Sequence, residues 1–238
     1  ALNKQIADEA VVLLRTEGGK LPITSSNPAV TLFGMAATGG TASGTGSGES
    51  AAVGGTLADS LKAAGFFVNE QVLEHYQTNS TAHGKGTAAG GGGDTGDWSL
   101  GREADFPTGV LADTFSSYPD AAIFVVARSG GEGGDLARTM DNHGGTHDQH
   151  YLQLSPSEEA TLKGIKDSGA FDMIVVLVNS ANPMELGFLE KYGVDACLWY
   201  AGLGANGIYS VGEGLAGKAN PSGRLVDTYV YDNFTAPA

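Results

Sequence analysis

Four short, largely apolar runs constrain the fold more than any other feature of this sequence. They span residues 29–35, 121–127, 172–178 and 196–200. Strands with one face in water alternate apolar and polar residues, whereas parallel strands covered on both faces are apolar almost throughout. The runs are therefore predicted to be strands inside a parallel sheet.

Segments with helical character separate these runs. The clearest helix start combines Ser155 as N-cap, Pro156 at the first helical position and Glu158 as capping-box partner. The other predicted elements are helices over residues 3–15, 57–64, 110–117, 183–192 and 205–216, and strands over residues 66–68 and 224–231. This alternation predicts an α/β fold, with a mostly parallel five- to six-stranded sheet sandwiched between helices in one domain spanning residues 1–238.

Glycine marks the long loops of this chain. The chain has 37 glycines, with dense clusters at 39–55 and 84–96, and residues 78–107 are interpreted as a glycine-rich excursion at one end of the sheet. Loops 34–55 and 128–151 each follow a predicted strand. We expect both loops at the carboxyl ends of their strands, where open α/β sheets bind ligands.

Composition excludes several classes of partner. The formal net charge of −14 repels a phosphate backbone, so no nucleic-acid partner is expected. No stretch approaches the roughly 18–20 apolar residues that span a bilayer, and no membrane partner is expected. The N-terminus lacks a signal-peptide pattern and an initiator methionine, which suggests a processed or excised chain of cytoplasmic or secreted location. Cys197, in an apolar run, is interpreted as a buried structural thiol.

Loop 43–50 is compared with a phosphate-binding loop, whose requirements it does not meet. That motif needs glycine first and lysine seventh, where this chain has Ser43 and Glu49. A dinucleotide fingerprint and a serine-hydrolase elbow are also not found, so no cofactor is predicted. The loop is either backbone that passes close to a ligand or a mobile surface loop.

Three histidines, His143, His147 and His150, lie close together in the sequence with Asp148. Imidazoles at such spacing can bind a metal ion. On a flexible loop they are more typical of ligand contact or solvation, and no metal site is predicted.

Segment 128–138 carries the most informative chemistry. Glu132 lies between glycines just after a buried strand, so its carboxyl group can approach a ligand closely. Asp135 and the arginines Arg128 and Arg138 supply hydrogen bonds and positive charge that adjust the pKa of an acid. The alternative is a salt-bridged surface turn.

These motifs, in this order, resemble those of the family 3 glycoside hydrolases. The matching segments are residues 10–17 with Leu21-Pro22, the loop at 44–48 that contains Gly-Ser-Gly, and Asn-Pro-Ser-Gly-Arg-Leu at 220–225. Residues 129–135, Ser-Gly-Gly-Glu-Gly-Gly-Asp, are similar to the family's Ser-Gly-Glu-Gly-x-Asp segment. Residues 226–234 resemble members in which this domain precedes a TIM barrel. The stretch 78–107 has no counterpart in the family, and Leu136 stands where the family has arginine, which leaves the charge partner of Glu132 open.

The resemblance implies the sandwich domain of a retaining, exo-acting β-glucosidase or β-xylosidase that cleaves β-linked glycosides. It assigns Glu132 as acid/base and places the aspartate nucleophile on a TIM-barrel partner domain. Asp97-Trp98 echoes the nucleophile motif but is discounted, so the isolated chain is expected to be inactive. The expected substrate contacts are Arg128, Ser129, Asp135, Arg138, Gly46 and Ser47. The alternative function is a non-catalytic carbohydrate-binding or scaffold module.

Overall fold

The computed structural model describes residues 2–39, 54–81, 100–128, 137–180, 182–204 and 206–234. Within these residues a single sheet has the spatial order β1-β6-β5-β4-β2-β3, in which β1 is antiparallel to its neighbour and the other pairs are parallel. This confirms the predicted α/β fold. The six strands are β1 Val12–Thr16, β2 Ala29–Phe33, β3 Phe67–Val68, β4 Ala121–Arg128, β5 Ile174–Ser180 and β6 Ala196–Tyr200.

Helices cover both faces of the sheet. Two of them begin with a complete capping box, formed by Thr56 with Asp59 and by Ser155 with Glu158, and both end at a left-handed glycine. The helices are α1 Leu2–Ala10, α2 Ala36–Gly39, α3 Leu57–Ala64, α4 Glu70–Asn79, α5 Val110–Asp113 with a 3-10 turn at Thr114–Ser117, α6 Pro156–Ser168, α7 Phe188–Lys191 and α8 Tyr209–Leu215.

The central strand β4 divides the interior into two cores because successive residues of a strand point to opposite faces. Ile123 and Val125 pack in a core that includes residues of α3 and α8. Phe124 and Val126 pack in the other core, with residues of α4 and α6. Every residue of β4 is buried, as the uniformly apolar sequence of residues 121–127 predicts.

The N-terminal prediction of one helix over residues 3–15 is wrong in its second half. The helix ends at Ala10, and Val12–Thr16 forms an antiparallel edge strand beside β6. Pairing with the open edge of β6 satisfies the backbone of this segment, and the β-branched Val11 and Val12 suit an extended chain better than a helix.

The predicted strand at 224–231 is not formed, because β1 already occupies the sheet edge next to β6. The segment instead runs beside the start of α7, where Leu186 and Gly187 donate backbone hydrogen bonds to the carbonyls of Val230 and Tyr231. The helices predicted at 183–192 and 205–216 are shorter than expected, at Phe188–Lys191 and Tyr209–Leu215.

The sequence interpretation missed α4 and drew the excursion at 78–107 too wide. Asn69 caps α4 by accepting a hydrogen bond from the Val72 amide. Residues 100–107 belong to the described structure, with Glu103 and Ala104 buried. Residues 82–99 lie outside the described part of the chain.

Cys197 on β6 is a free, buried cysteine. It belongs to the core between the sheet and α6, and burial raises the pKa of its thiol. A buried thiol with a raised pKa is a poor nucleophile, which agrees with a structural role.

Candidate active site

The carboxyl ends of the parallel strands β2, β4, β5 and β6 lie at one edge of the sheet, and a loop leaves each of them there. The loop after β2 leaves through Gly34, whose φ of +95° is one that residues with a side chain rarely adopt. A Cβ atom there would lie 2.8 Å from the carbonyl oxygen of Val125. Only glycine fits this turn, where the backbone passes close to β4.

Arg128, the last residue of β4, is fully buried. Its guanidinium group donates to both carboxylate oxygens of Glu158 at 2.7 and 2.8 Å, from Nη1 and Nη2. Nε donates to the carbonyl of Tyr151, Nη1 to that of Ala127 and Nη2 to that of Gln153, at 3.1, 2.8 and 2.5 Å. Arginine has five N–H donors, and these five bonds use all of them.

The electrostatic balance around Arg128 keeps its side chain charged. Burial lowers the pKa of Arg128, but the Glu158 carboxylate more than compensates, and the pKa is raised overall. The guanidinium carbon also lies 5.8 Å from the ring centroid of Tyr151, within the range of a cation–π contact.

Glu103 is a second buried carboxyl group at this edge. It accepts a hydrogen bond from the Met35 amide, just beyond β2, at 2.5 Å. Burial, and then the charge of Glu158, raise the pKa of Glu103 to about 8, against smaller opposing effects of the Met35 amide and Arg128. Glu103 is therefore mostly protonated at neutral pH.

Two cavities lie at the same edge of the described structure. The smaller, of about 80 Å³, is lined by α2, by Asn179 and Tyr200 at the carboxyl ends of β5 and β6, and by residues beyond β6 such as Leu203. The larger, of about 540 Å³, lies between residues 100–106, 142–144 and the first turns of α6. Its size is within the usual range for small-molecule sites.

The site residues expected from the sequence fall into two groups. Glu132, Ser129 and Asp135 lie in 129–136, and Gly46 and Ser47 lie in 40–53, all outside the described residues. The two arginines of the expected site are described.

Arg128 was expected to contact the substrate. With no exposed surface and all its donors used within the chain, it has none left for a sugar hydroxyl. Arg138, in contrast, is exposed, and its backbone carbonyl accepts a hydrogen bond from the Tyr151 amide at 3.3 Å. The alternative of a salt-bridged surface turn is wrong for Arg128, since its ion pair is buried.

The three histidines face different partners. His143 accepts a hydrogen bond from the Leu100 amide and packs edge-on against Tyr151. His147 pairs with Asp141 at 2.8 Å, and His150 accepts a hydrogen bond from the Leu152 amide. In the described ranges, no group of three or more metal-binding side chains is brought together.

Sequence reasoning missed Glu103 and saw Glu158 only as a helix cap. A lone arginine at the end of an apolar strand is an indication that a carboxylate must lie nearby, because a buried charge needs a partner. Nothing in the sequence marks Glu103 as buried.

The fold and this edge together define an α/β domain of the kind that presents ligand-binding loops at the carboxyl ends of its strands. None of the helices in the described ranges is both long and apolar enough to span a bilayer. Comparison with known proteins identifies the family. Residues 11–235 match the model of the glycosyl hydrolase family 3 C-terminal domain, and the chain belongs to this family.

Its relatives are larger proteins. A β-glucosidase of Ruminococcus albus is 29% identical over 231 residues, which cover 96% of this chain and 22% of the relative. A β-glucosidase structure from Paenibacillus barengoltzii matches with a TM-score of 0.75 at 24% identity, covering 99% of this chain and 24% of that one. For β-glucosidase 3B of Thermotoga neapolitana with glycerol, the TM-score is 0.73 at 24% identity, over 98% of this chain and 31% of that one. The chain thus spans between a fifth and a third of these proteins.

Proposed function

We propose that this chain is the acid/base-supplying domain of a retaining exo-β-glycosidase of the β-glucosidase type. The observation that carries the proposal is the position of Glu132 in a chain of this family: it lies four residues beyond Arg128, the buried end of the central strand β4. A loop that leaves there begins at the edge of the sheet where α/β proteins bind ligands.

In the proposed reaction Glu132 acts twice. As an acid it protonates the glycosidic oxygen while the bond to the leaving group breaks, and as a base it then takes a proton from the attacking water. The nucleophile is a carboxylate on a TIM-barrel partner domain, about 5–5.5 Å from Glu132 in a retaining enzyme. Arg138, Ser129, Asp135, Gly46 and Ser47 are proposed to contact the sugar.

The test is Glu132→Gln in the full-length protein, assayed on aryl and alkyl β-glucosides and β-xylosides with leaving groups of different acidity. Glutamine cannot donate the catalytic proton, so kcat/KM should fall roughly 10²–10⁴-fold for alkyl glycosides, which need acid assistance. The leaving group of a dinitrophenyl glycoside departs as a stable anion and needs no proton, so kcat/KM for that substrate should change much less.

The matched control is Glu190→Gln, which alters an exposed glutamate on α7 and should leave both substrates unaffected. Wild-type turnover of alkyl glycosides by the Glu132→Gln variant would contradict the proposal. Sugar binding with no turnover by the wild-type protein would instead support the non-catalytic binding module.

A further inference from the structure

Three buried ionisable residues, Arg128, Glu158 and Glu103, form a cluster beneath the carboxyl edge, which we call the root cluster. The Arg128 and Glu158 side chains are 0% and 2% exposed, and Glu103 is 4% exposed. Each residue comes from a different segment: the end of β4, the first turn of α6, and the stretch that precedes α5.

Arg128 fastens both ends of the loop that follows β4. It is the residue directly before 129–136, and its guanidinium binds the carbonyls of Tyr151 and Gln153, where the chain returns from that loop. The returning chain is further paired through the Thr139–His150 bridge and the bond from the Met140 amide to the Gln149 carbonyl, 2.9 Å long. The start and the end of the loop are thus held by one side chain.

Glu103 connects this arrangement to the loop after β2. Its bond to the Met35 amide fixes the chain at the point where that loop begins, and its own backbone amide donates a hydrogen bond to the hydroxyl of Ser157, next to Glu158 in the first turn of α6, at 3.3 Å. One buried cluster therefore contacts the roots of both loops in which the sequence indicates substrate contacts.

Stability alone is a weak reason for such a cluster. Desolvation of two charges offsets much of their attraction, and well-packed apolar residues of similar volume are often as stabilising as a buried ion pair. What apolar residues cannot supply is directional bonding. Five hydrogen bonds in a planar fork fix the orientation of the backbone that they join.

We propose that Arg128, Glu158 and Glu103 are positioning residues that hold the loops after β2 and β4 in a fixed relation, so that Glu132 meets the glycosidic oxygen in the correct geometry. The inference rests on the proposed acid/base role of Glu132. It assigns the three residues no contact with the substrate.

The experiment replaces the ion pair with two methionines, Arg128→Met with Glu158→Met, in the full-length protein. Methionine is flexible and fills the space of a long side chain. The matched control is Glu159→Met with Lys191→Met, which removes the neighbouring ion pair of the same helix. Thermal unfolding first checks that both variants are folded, and kcat/KM is then measured with alkyl and dinitrophenyl glycosides.

We expect the loss of kcat/KM in the root-cluster variant to be at least tenfold larger on the alkyl glycoside than on the dinitrophenyl glycoside, with the control unchanged on both. Displaced sugar contacts affect both substrates, whereas a displaced acid affects only the substrate that needs a proton. Introduced into the Glu132→Gln protein, the same replacement should therefore lower kcat/KM equally on the two substrates. Full alkyl activity in a folded root-cluster variant, an equal loss on both substrates in the wild-type background, or a selective alkyl loss in the Glu132→Gln background would each overturn the inference.

If the double variant does not fold, Arg128→Lys replaces it. Lysine keeps the charge but cannot bind Glu158 and the carbonyls in one fork. The same selective loss on the alkyl glycoside is expected, and its absence would overturn the inference. Failure of the acid/base proposal is distinguishable, because Glu132→Gln alone would then keep its alkyl activity.

Discussion

Glu158 and Glu159 are neighbours in the first turn of α6, and each pairs with a cation, but in different surroundings. Glu158 is buried against Arg128 beneath the carboxyl edge of the sheet. Glu159 lies on another side of the helix, where Lys191 and the Tyr192 hydroxyl bind the same carboxylate oxygen, and its side chain is 36% exposed. Because both residues are glutamates in the same turn of the same helix, a difference between their effects can be assigned to the burial of the ion pair that each one forms.

The largest effect is expected when the buried ion pair between Arg128 and Glu158 is broken. Glu158→Ala leaves the Arg128 charge buried without its partner and also removes the bond from the Ser155 amide to Glu158, 2.7 Å long. Loss of one partner of a buried pair typically costs roughly 3–5 kcal/mol. Calorimetric unfolding of the full-length protein checks this, and a loss below about 1 kcal/mol would show that the charge is not desolvated as its burial indicates.

A second prediction concerns Glu103, the third residue of the root cluster beside Arg128 and Glu158. Its pKa is about 8 in the folded protein, above the ordinary value of 4.5, so the unfolded chain releases the proton at lower pH than the folded chain. The contribution of Glu103 to stability is therefore present below about pH 4.5 and is lost as the pH rises towards 8. The groups that face it are Glu158 on α6, Arg128 on β4 and Tyr76 on α4.

Glu103→Gln should remove this part of the pH dependence. One proton corresponds to about 1.4 kcal/mol per pH unit, so between pH 5 and 7 the wild type should lose roughly 2.5 kcal/mol relative to the variant. Unfolding measured at several pH values checks this slope. Parallel curves for the two proteins would mean that Glu103 is ionised in the folded state.

The sequence predicted the framework well and the side-chain partners poorly. The apolar runs at 121–127 and 196–200 indicated their strands because a strand covered on both faces has little freedom in composition. The helix start at Ser155 was equally clear, since a capping box is a local pattern. Arg128 was misinterpreted because its partner is 30 residues away, and only the completed fold brings the two together.

The burial of Glu103 is another feature that the local sequence does not predict. It follows a glycine-rich stretch and was included in an excursion, yet its carboxyl group is buried and accepts a hydrogen bond from the Met35 amide. Likewise, whether 12–16 or 224–231 forms a strand depends on which of the two segments pairs with the edge of β6, and in the folded protein it is 12–16. Such competition between distant segments has no local pattern in a sequence.

The smallest effect is expected at Glu159, the more exposed of the two compared glutamates. Partial burial would raise the pKa of Glu159, but hydrogen bonds from Lys191 and Tyr192 prevail and lower it. A carboxyl group of lowered pKa stabilises the fold above its ordinary value of 4.5, and this contribution is lost as the pH falls and the folded group becomes protonated.

Glu159→Gln should therefore cost less than about 1 kcal/mol at pH 7, as exposed ion pairs do, and the cost should shrink in roughly 1 M salt, which screens exposed charges. Unfolding at pH 7 and pH 3, with and without salt, measures this directly. If Glu159→Gln lowered the free energy of unfolding as much as Glu158→Ala does, with no effect of salt, burial would not distinguish the two ion pairs. A small, salt-sensitive cost would leave burial as the property that gives Arg128 and Glu158 their hold on the loop after β4.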